Sequence, residues 1–328
     1  MKICIIGAGA IGGLIGTKVA VAGQAEVSVV ARGDTLAALR RHGLRLKTEG
    51  KLLQAPVRVE ERPADLGTQD VVIIAVKAPS LPSVASQVAP LIGPSTIIVP
   101  AMNGVPWWFV HAVPALGNLP LAAVDPSGLI SSAIPAAQVL GCVVHASASM
   151  SGPGIVDHKF GRGLIIGEPL GGESERARDL GELLKHAGFD ATVSSNVRQE
   201  IWYKLWGNLT MNPVSAITGV TVDCILGDDL VREFCSAAMR EVAVIGAHIG
   251  CSIEQSPEDR HDVTRKLGAF RTSMLQDVEA GREIELDAIV GAVHEIARRL
   301  NVPAPNIDAL LGLTRLFGRG RGVYSGGH

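Results

Sequence analysis

Short apolar runs alternate with stretches of helical periodicity through the first half of the chain. The runs "KICII", "VVII" and "TIIVP" are continuously apolar, as buried strands of a parallel sheet are. Between such runs, "IGGLIGTKVAVAG" and "TLAALRRHG" have helical spacing, and "SLPSVASQVAPLIG" predicts a crossover helix. Strand, helix and strand repeated in this way predict an α/β fold with a doubly wound parallel sheet.

The pattern changes near residue 195. Segment 124–168 is β-rich and irregular, whereas the chain beyond it becomes helical almost to the end. The stretches "LVREFCSAAMREVAVIGAHIG" and "VTRKLGAFRTSMLQDVEAG" each predict one long helix, and the Gly/Arg-rich tail "GRGRGVYSGGH" predicts a frayed end. We therefore expect a sheet domain over residues 1–195 and an all-helical domain over residues 196–328.

A glycine motif follows the first apolar run. The sequence "GAGAIG", Gly7 to Gly12, has the spacing G-x-G-x-x-G between a strand and a helix. Gly7 permits the tight turn, Gly9 lets the backbone approach a pyrophosphate, and Gly12 lets the helix pack on the strand. Ala10 and Ile11 open the helix beside them. The motif favours a Rossmann-type dinucleotide site, and the alternative is a purely structural glycine turn.

Two basic residues follow later strands of the predicted sheet. Arg32 stands in "VVARGD", where an enzyme that uses NAD usually has an acidic residue for the ribose. An arginine there can bind a 2′-phosphate with its planar fork, so NADP(H) is favoured over NAD(H). Lys77 ends "VVIIAVK", where it can face a phosphate or the nicotinamide ribose. The simpler alternatives are a solvated arginine and a strand-end lysine.

The segment "KLWGNLTMNPVSAITG" carries polar residues on one face of a largely apolar helix. Lys204, Asn208 and Asn212 are spaced by four residues and share that face, and Pro213 is expected to bend or end the helix. No carboxylate stands beside them, which favours the wall of a polar ligand site over a solvated surface. Trp202 and Trp206 should partly desolvate the lysine and lower its pKa.

Composition excludes several classes of protein. The chain of 328 residues is 47% hydrophobic, with a formal net charge of -2 and neither a basic stripe nor an aromatic array for nucleic acid. Its apolar runs are too short for membrane spans. Five scattered cysteines without a CxxC motif indicate reduced thiols and a cytoplasmic location. No pair of histidines has metal-ligand spacing, so we expect no metal site.

Together these motifs resemble the ketopantoate reductase family over nearly the whole chain. The resemblance rests on "KICIIGAGAIGG", Arg32, "VKA" at 76–78, "NG" at 103–104, "KLWGNLTMNPVSAITG" and "SMLQDVEAGREIELDAI". It implies a Rossmann domain joined to a helical domain. It also implies reduction of ketopantoate (2-dehydropantoate) to D-pantoate with NADPH, for pantothenate and coenzyme A synthesis.

The resemblance also implies residue roles. Lys204 matches the catalytic proton donor and Glu285 the active-site glutamate. The substrate-binding matches are Asn103, Asn208, Asn212 and Ser273. The cofactor-binding matches are Gly7, Gly9, Ala10, Ile11, Gly12, Arg32, Lys77, Asn103 and Glu285. Asn103 on its residues alone can equally be a turn residue.

A pair of tryptophans keeps other functions open. Trp107 and Trp108 follow the Asn103-Gly104 pair; they are either core residues or part of a pocket for a different substrate. The alternatives are a paralogous NADPH-dependent reductase of another 2-oxoacid and a non-catalytic NADPH-binding regulator. A regulator would have no reason to keep Lys204 and Glu285 together. A homodimer is compatible with the sequence, which does not determine the oligomeric state.

Overall fold

The computed structural model describes residues 1–117 and 119–326. The chain forms two compact units. The first comprises Met1–Met102 and Ser127–Glu200, and the second comprises Asn103–Pro126 and Ile201–His328. Segment 103–126, placed by the sequence analysis in the first domain, thus belongs to the second unit. Among the described residues, no helix is both long and apolar enough to cross a membrane.

A five-stranded parallel sheet forms the centre of the first unit. Its strands are β1 (Lys2–Ile6), β2 (Glu26–Val30), β5 (Arg58–Glu60), β6 (Val71–Ile74) and β7 (Ile97–Pro100). The strand order is β5-β2-β1-β6-β7, so the chain reverses direction across the sheet at β1. Ile5 of β1 lies opposite Val29 of β2 and Ile73 of β6, and all three side chains are buried. The carboxyl end of β1 is therefore the topological switch point, where such sheets bind ligands.

A second, mixed sheet completes this unit. Its strands are β3 (Leu44–Thr48), β4 (Lys51–Ala55), β8 (Gly141–Gly152), β9 (Ile155–Gly167) and β10 (Asp190–Val193). The helices of the unit are α1 (Ala10–Ala22), α2 (Gly33–His42), α3 (Leu81–Ala85), α4 (Leu129–Ala133) and α5 (Glu175–His186). The crossover segment predicted as a helix is helical only in part, because α3 is a single short turn flanked by 3₁₀ turns at Ala78–Ser80 and Ala89–Leu91. Pro82 and Pro90 lie in the first turns of these pieces, where proline suits a helix start.

The second unit is helical. Its helices are α6 (Val197–Thr218, of which Ile201 onward belongs to this unit), α7 (Val222–Gly227), α8 (Asp229–His248), α9 (Pro257–Arg265), α10 (Ser273–Glu279), α11 (Ala292–Arg299) and α12 (Pro305–Arg321). A π-helical turn, Asp287–Gly291, leads into α11. The prediction of a parallel α/β sheet domain followed by a helical domain is confirmed.

Two local predictions for this unit are wrong, and one of the two alternatives predicted for Pro213 is excluded. The helix α6 continues through Pro213 to Thr218, so the proline does not end it. The stretch predicted as one helix over 263–281 is divided between α9 and α10, because Gly268 adopts φ +62° and the Thr272 side chain caps α10 by accepting from Leu275 N at 3.1 Å. The tail is ordered at Val323 and Tyr324, whose side chains are buried.

Candidate active site

Two buried tryptophans orient helix α6. Trp202 and Trp206 are fully buried, and their indole N–H groups donate to backbone oxygens of α8, at Val242 (3.2 Å) and Met239 (2.8 Å). Both side chains lie on the face of α6 opposite Lys204. Anchoring of the apolar face against α8 therefore turns the face with Lys204 away from the core, where this residue stays half-buried.

Lys204 is held by Asn103. The Lys204 ammonium donates to Asn103 Oδ1 at 2.9 Å, across a sequence separation of 101 residues. The following residue, Gly104, adopts φ +84°, and a Cβ there would lie 2.5 Å from the Ala288 oxygen. Only glycine fits this position, because it tolerates both the positive φ and the close approach. The Asn103-Gly104 turn is therefore pressed onto the segment that contains Ala288.

That segment also carries Glu285. Val105 N donates to the Ala288 backbone oxygen at 2.8 Å, and Ile289 N donates to the Glu285 backbone oxygen at 3.2 Å. The Glu285 side chain is only 5% exposed. The turn at Asn103 thus joins α6 on one side to the glutamate segment on the other. Lys204 contacts this turn directly, and Glu285 lies three residues before Ala288, which packs on it.

Three further predicted site residues lie on α6 and α10, and one of them has a buried polar atom without a partner among the described residues. Asn212 is 5% exposed, and its Nδ2 is buried with no hydrogen-bond acceptor among the described residues. Asn208, one turn earlier on α6, and Ser273, the first residue of α10, are half-buried. A buried amide without a partner is costly, so such groups normally have a ligand or water to bind. Asn208 and Asn212 thus present hydrogen-bonding capacity on the face that carries Lys204.

The glycine motif of the first unit has the geometry of a phosphate-binding turn. Gly7 adopts φ +93°, and a Cβ there would lie 2.8 Å from the Ala75 oxygen. A Cβ on Gly12 would collide with the Gly7 oxygen, whereas one on Gly9 would meet nothing within 4 Å. Gly7 and Gly12 are therefore required by the packing of α1 on the sheet. Gly9, the N-cap of α1, instead faces open space at the helix N-terminus, where a pyrophosphate fits.

Arg32 and Lys77 stand at the same edge of the parallel sheet. Arg32 follows β2 and Lys77 follows β6, and these two strands flank β1. Arg32 is exposed, and its Nη2 donates to Gln87 Oε1 at 2.8 Å. Gln87 could not be predicted from the sequence, since no local pattern connects residues separated by 55 positions. No acidic residue stands between the end of β2 and Arg32.

Comparisons with known proteins show the family of the chain. The family model for ketopantoate reductase PanE/ApbA matches residues 3–171, and the model for the C-terminal domain of the same family matches residues 196–317. The chain belongs to the ketopantoate reductase family. Members of this family are nicotinamide-dependent oxidoreductases, and the predicted family and enzyme class are confirmed.

Individual relatives in the family cover the chain almost completely. A 2-dehydropantoate 2-reductase of Mesorhizobium japonicum is 44% identical over 99% of this chain and 100% of its own. A solved structure, a proposed ketopantoate reductase of Ralstonia solanacearum MolK2, is 53% identical with a TM-score of 0.95, covering 98% of this chain and 99% of its own. The structure of 2-dehydropantoate 2-reductase from Methylococcus capsulatus is 26% identical with a TM-score of 0.84, covering 98% of both chains.

Proposed function

We propose that the protein reduces 2-dehydropantoate to D-pantoate with NADPH, in the synthesis of pantothenate and coenzyme A. The observation that carries this proposal is the half-buried Lys204 ammonium bonded to Asn103 at 2.9 Å, in a member of the ketopantoate reductase family. The relative from Mesorhizobium japonicum, which bears the name of this activity, supports the choice of substrate.

Lys204 is the proposed proton donor. Reduction of a ketone builds negative charge on the carbonyl oxygen, so an acid must stand beside that atom. An ammonium has three donor hydrogens, and Asn103 uses one of them. This contact is proposed to orient the amine toward the substrate oxygen. Glu285, buried on the segment that contacts the Asn103-Gly104 turn, is the proposed counter-charge that keeps the amine protonated.

Asn208, Asn212 and Ser273 are the proposed substrate-binding residues. The substrate carries a hydroxyl and a carboxylate besides its ketone, and amide and hydroxyl groups can bind both. The buried Nδ2 of Asn212, which lacks a partner among the described residues, supports this assignment most strongly. A ligand oxygen at that atom would remove the cost of leaving it unpaired.

The first unit contains groups that fit a phosphorylated dinucleotide. Gly7, Gly9 and Gly12, with Ala10 and Ile11, form the proposed pyrophosphate turn, because the N-terminus of α1 is open at Gly9. Arg32 and Lys77 are proposed to bind the adenosine side, including the 2′-phosphate that distinguishes NADP(H) from NAD(H). Asn103 and Glu285 are proposed to contact the nicotinamide side. When bound, the nicotinamide supplies the hydride.

Trp107 and Trp108 are core residues. Each is only 1% exposed, which supports the core alternative of the sequence analysis. A paralogous activity on another 2-oxoacid stays the alternative, and the cytoplasmic location stays a prediction.

Oxidation of NADPH at 340 nm with a panel of 2-oxoacids tests the proposal. We expect 2-dehydropantoate to give the highest kcat/KM, with D-pantoate as product and NADPH used in preference to NADH. Preference for an aromatic or unhydroxylated 2-oxoacid would overturn the substrate assignment. Absence of turnover with every 2-oxoacid would overturn the proposed reaction.

A further inference from the structure

An arginine from α9 packs against helix α6 at residues that neighbour the proposed proton donor in sequence. The Arg260 guanidinium carbon is 5.0 Å from the centroid of the Tyr203 ring. A Cβ on Gly207, one turn further along α6, would lie 2.9 Å from Arg260 Nε and 3.1 Å from Nη2. The absence of a side chain at Gly207 thus creates the space that the guanidinium occupies. Sequence analysis gave no signal for this contact, which joins residues more than fifty positions apart.

The acidic residues of α9 do not neutralise this guanidinium. Glu258 and Asp262 both pair with Arg265, and Asp259 accepts hydrogen bonds from the Ser256 backbone and side chain. Arg260 Nε is buried and has no acceptor in the part of the chain that the structure describes. Within residues 1–117 and 119–326, the guanidinium has its stacking contact with Tyr203 but no ion pair. A half-buried arginine that is held in place and has no ion pair among the described residues is a ready site for an anion.

The Arg260 guanidinium packs against the sequence neighbours of Lys204 and Asn208. Tyr203 and Gly207 are the immediate sequence neighbours of these two residues. On a regular helix, Gly207 is rotated from Lys204 by about 60° and lies one turn along the axis, at the separation of about 5–6 Å typical of residues three apart. The Lys204 side chain and the Arg260 guanidinium are therefore assigned to adjoining stripes of the α6 surface.

A 2-oxoacid presents two adjacent polar groups to such a pair of cations. Its carboxylate is bonded directly to the carbon of the reacting ketone, so an ammonium at the ketone oxygen has the carboxylate as its neighbour. A planar guanidinium matches a carboxylate with two parallel hydrogen bonds. We infer that Arg260 binds the carboxylate of the 2-oxoacid substrate, in the space left open by Gly207. This inference rests on the proposed function and deepens it.

Replacement of the arginine, with a matched control, tests the inference. Arg260→Gln removes the charge, and Arg265→Gln removes the same charge from an arginine of the same helix that already has carboxylate partners. Each variant and the wild-type protein are assayed with 2-dehydropantoate and with its neutral primary amide. For Arg260→Gln we expect kcat/KM for the acid to fall roughly 10- to 100-fold, mainly through KM, and kcat/KM for the amide to change less than about twofold. Arg265→Gln should leave both substrates unaffected.

A second variant moves the guanidinium without removing it. Gly207→Ala places a methyl group where Arg260 Nε now packs, so it should also raise KM for the acid more than for the amide. Equal losses for acid and amide in both variants would show that Arg260 has only a structural role. Wild-type kinetics in Arg260→Gln would overturn the inference while the reductase proposal stands. Failure of the wild-type protein to reduce any 2-oxoacid would instead overturn the proposed function.

Discussion

Tyr324 donates its phenolic hydrogen to Asp287 Oδ1 at 2.8 Å. Its neighbours in the tail bond to the same segment. Val323 accepts from Ile284 N at 2.9 Å, and the Ser325 hydroxyl contacts the Glu283 carboxylate. Three consecutive tail residues therefore bond to positions on both sides of Glu285. The tail holds in place the segment that carries the proposed active-site glutamate.

The Asp287 carboxyl makes this segment sensitive to pH. Burial raises the pKa of Asp287 above its usual value, although the Tyr324 hydrogen bond opposes this shift. The folded protein therefore keeps this proton at pH values where the unfolded chain has lost it. The contribution of the group to the free energy of unfolding must decline as pH rises from about 4 through the folded-state pKa.

Asp287→Asn removes this titration and keeps an oxygen that can accept from Tyr324. We expect the free energy of unfolding of the variant, relative to that of the wild-type protein, to increase between about pH 4.5 and about pH 7.5. Urea titrations of both proteins at the two pH values measure this difference. A difference that does not change with pH would show that Asp287 does not titrate as its burial implies.

Arg32→Asp should weaken NADPH binding. The substitution removes a cation from the proposed 2′-phosphate site and adds a repelling charge, so we expect a loss of about 1–3 kcal/mol in binding free energy. NADH, which lacks that phosphate, should not lose affinity in the variant. Titration of cofactor fluorescence measures both constants, and Arg41→Asp, at an exposed arginine of α2, controls for the change in net charge. Unchanged NADPH affinity in Arg32→Asp would contradict the cofactor assignment.

Asn212 should discriminate between substrates by their 4-hydroxyl. Its Nδ2 is buried and has no acceptor among the described residues, so a substrate without the hydroxyl would leave it unpaired. We expect such substrates to lose roughly 10- to 100-fold in kcat/KM with the wild-type protein. Asn212→Ala should remove most of this discrimination while simpler 2-oxoacids are still reduced. If the variant and the wild-type protein discriminate equally between these substrates, the 4-hydroxyl does not bind at Asn212.

Features that depend on local spacing could be predicted from the sequence. The glycine turn follows from strand and helix signals within a dozen residues of Gly7. The shared face of Lys204, Asn208 and Asn212 follows from helix periodicity, which Pro213 did not interrupt. Helix α8 was also predicted, because its apolar stripe is continuous and it ends near Gly250.

Features that depend on contacts between residues far apart in the sequence could not be predicted. The Gly/Arg-rich tail indicated fraying by composition, but burial of Val323 and Tyr324 and their bonds to residues 284 and 287 outweigh that tendency. The placement of Arg260 on Gly207 and of Gln87 beside Arg32 likewise depends on packing between separate elements. Periodicity within one element carries no information about such pairs.

The turnover of Lys204→Ala tests the account most directly. We measure kcat for reduction of 2-dehydropantoate by NADPH, with Lys266→Ala, at an exposed lysine, as the control. Loss of the proton donor should lower kcat on the order of 10²- to 10⁴-fold, while NADPH affinity and the fold are retained. Near-normal turnover in Lys204→Ala would show that this lysine is only a cation on the surface of α6, and it would contradict the proposed mechanism.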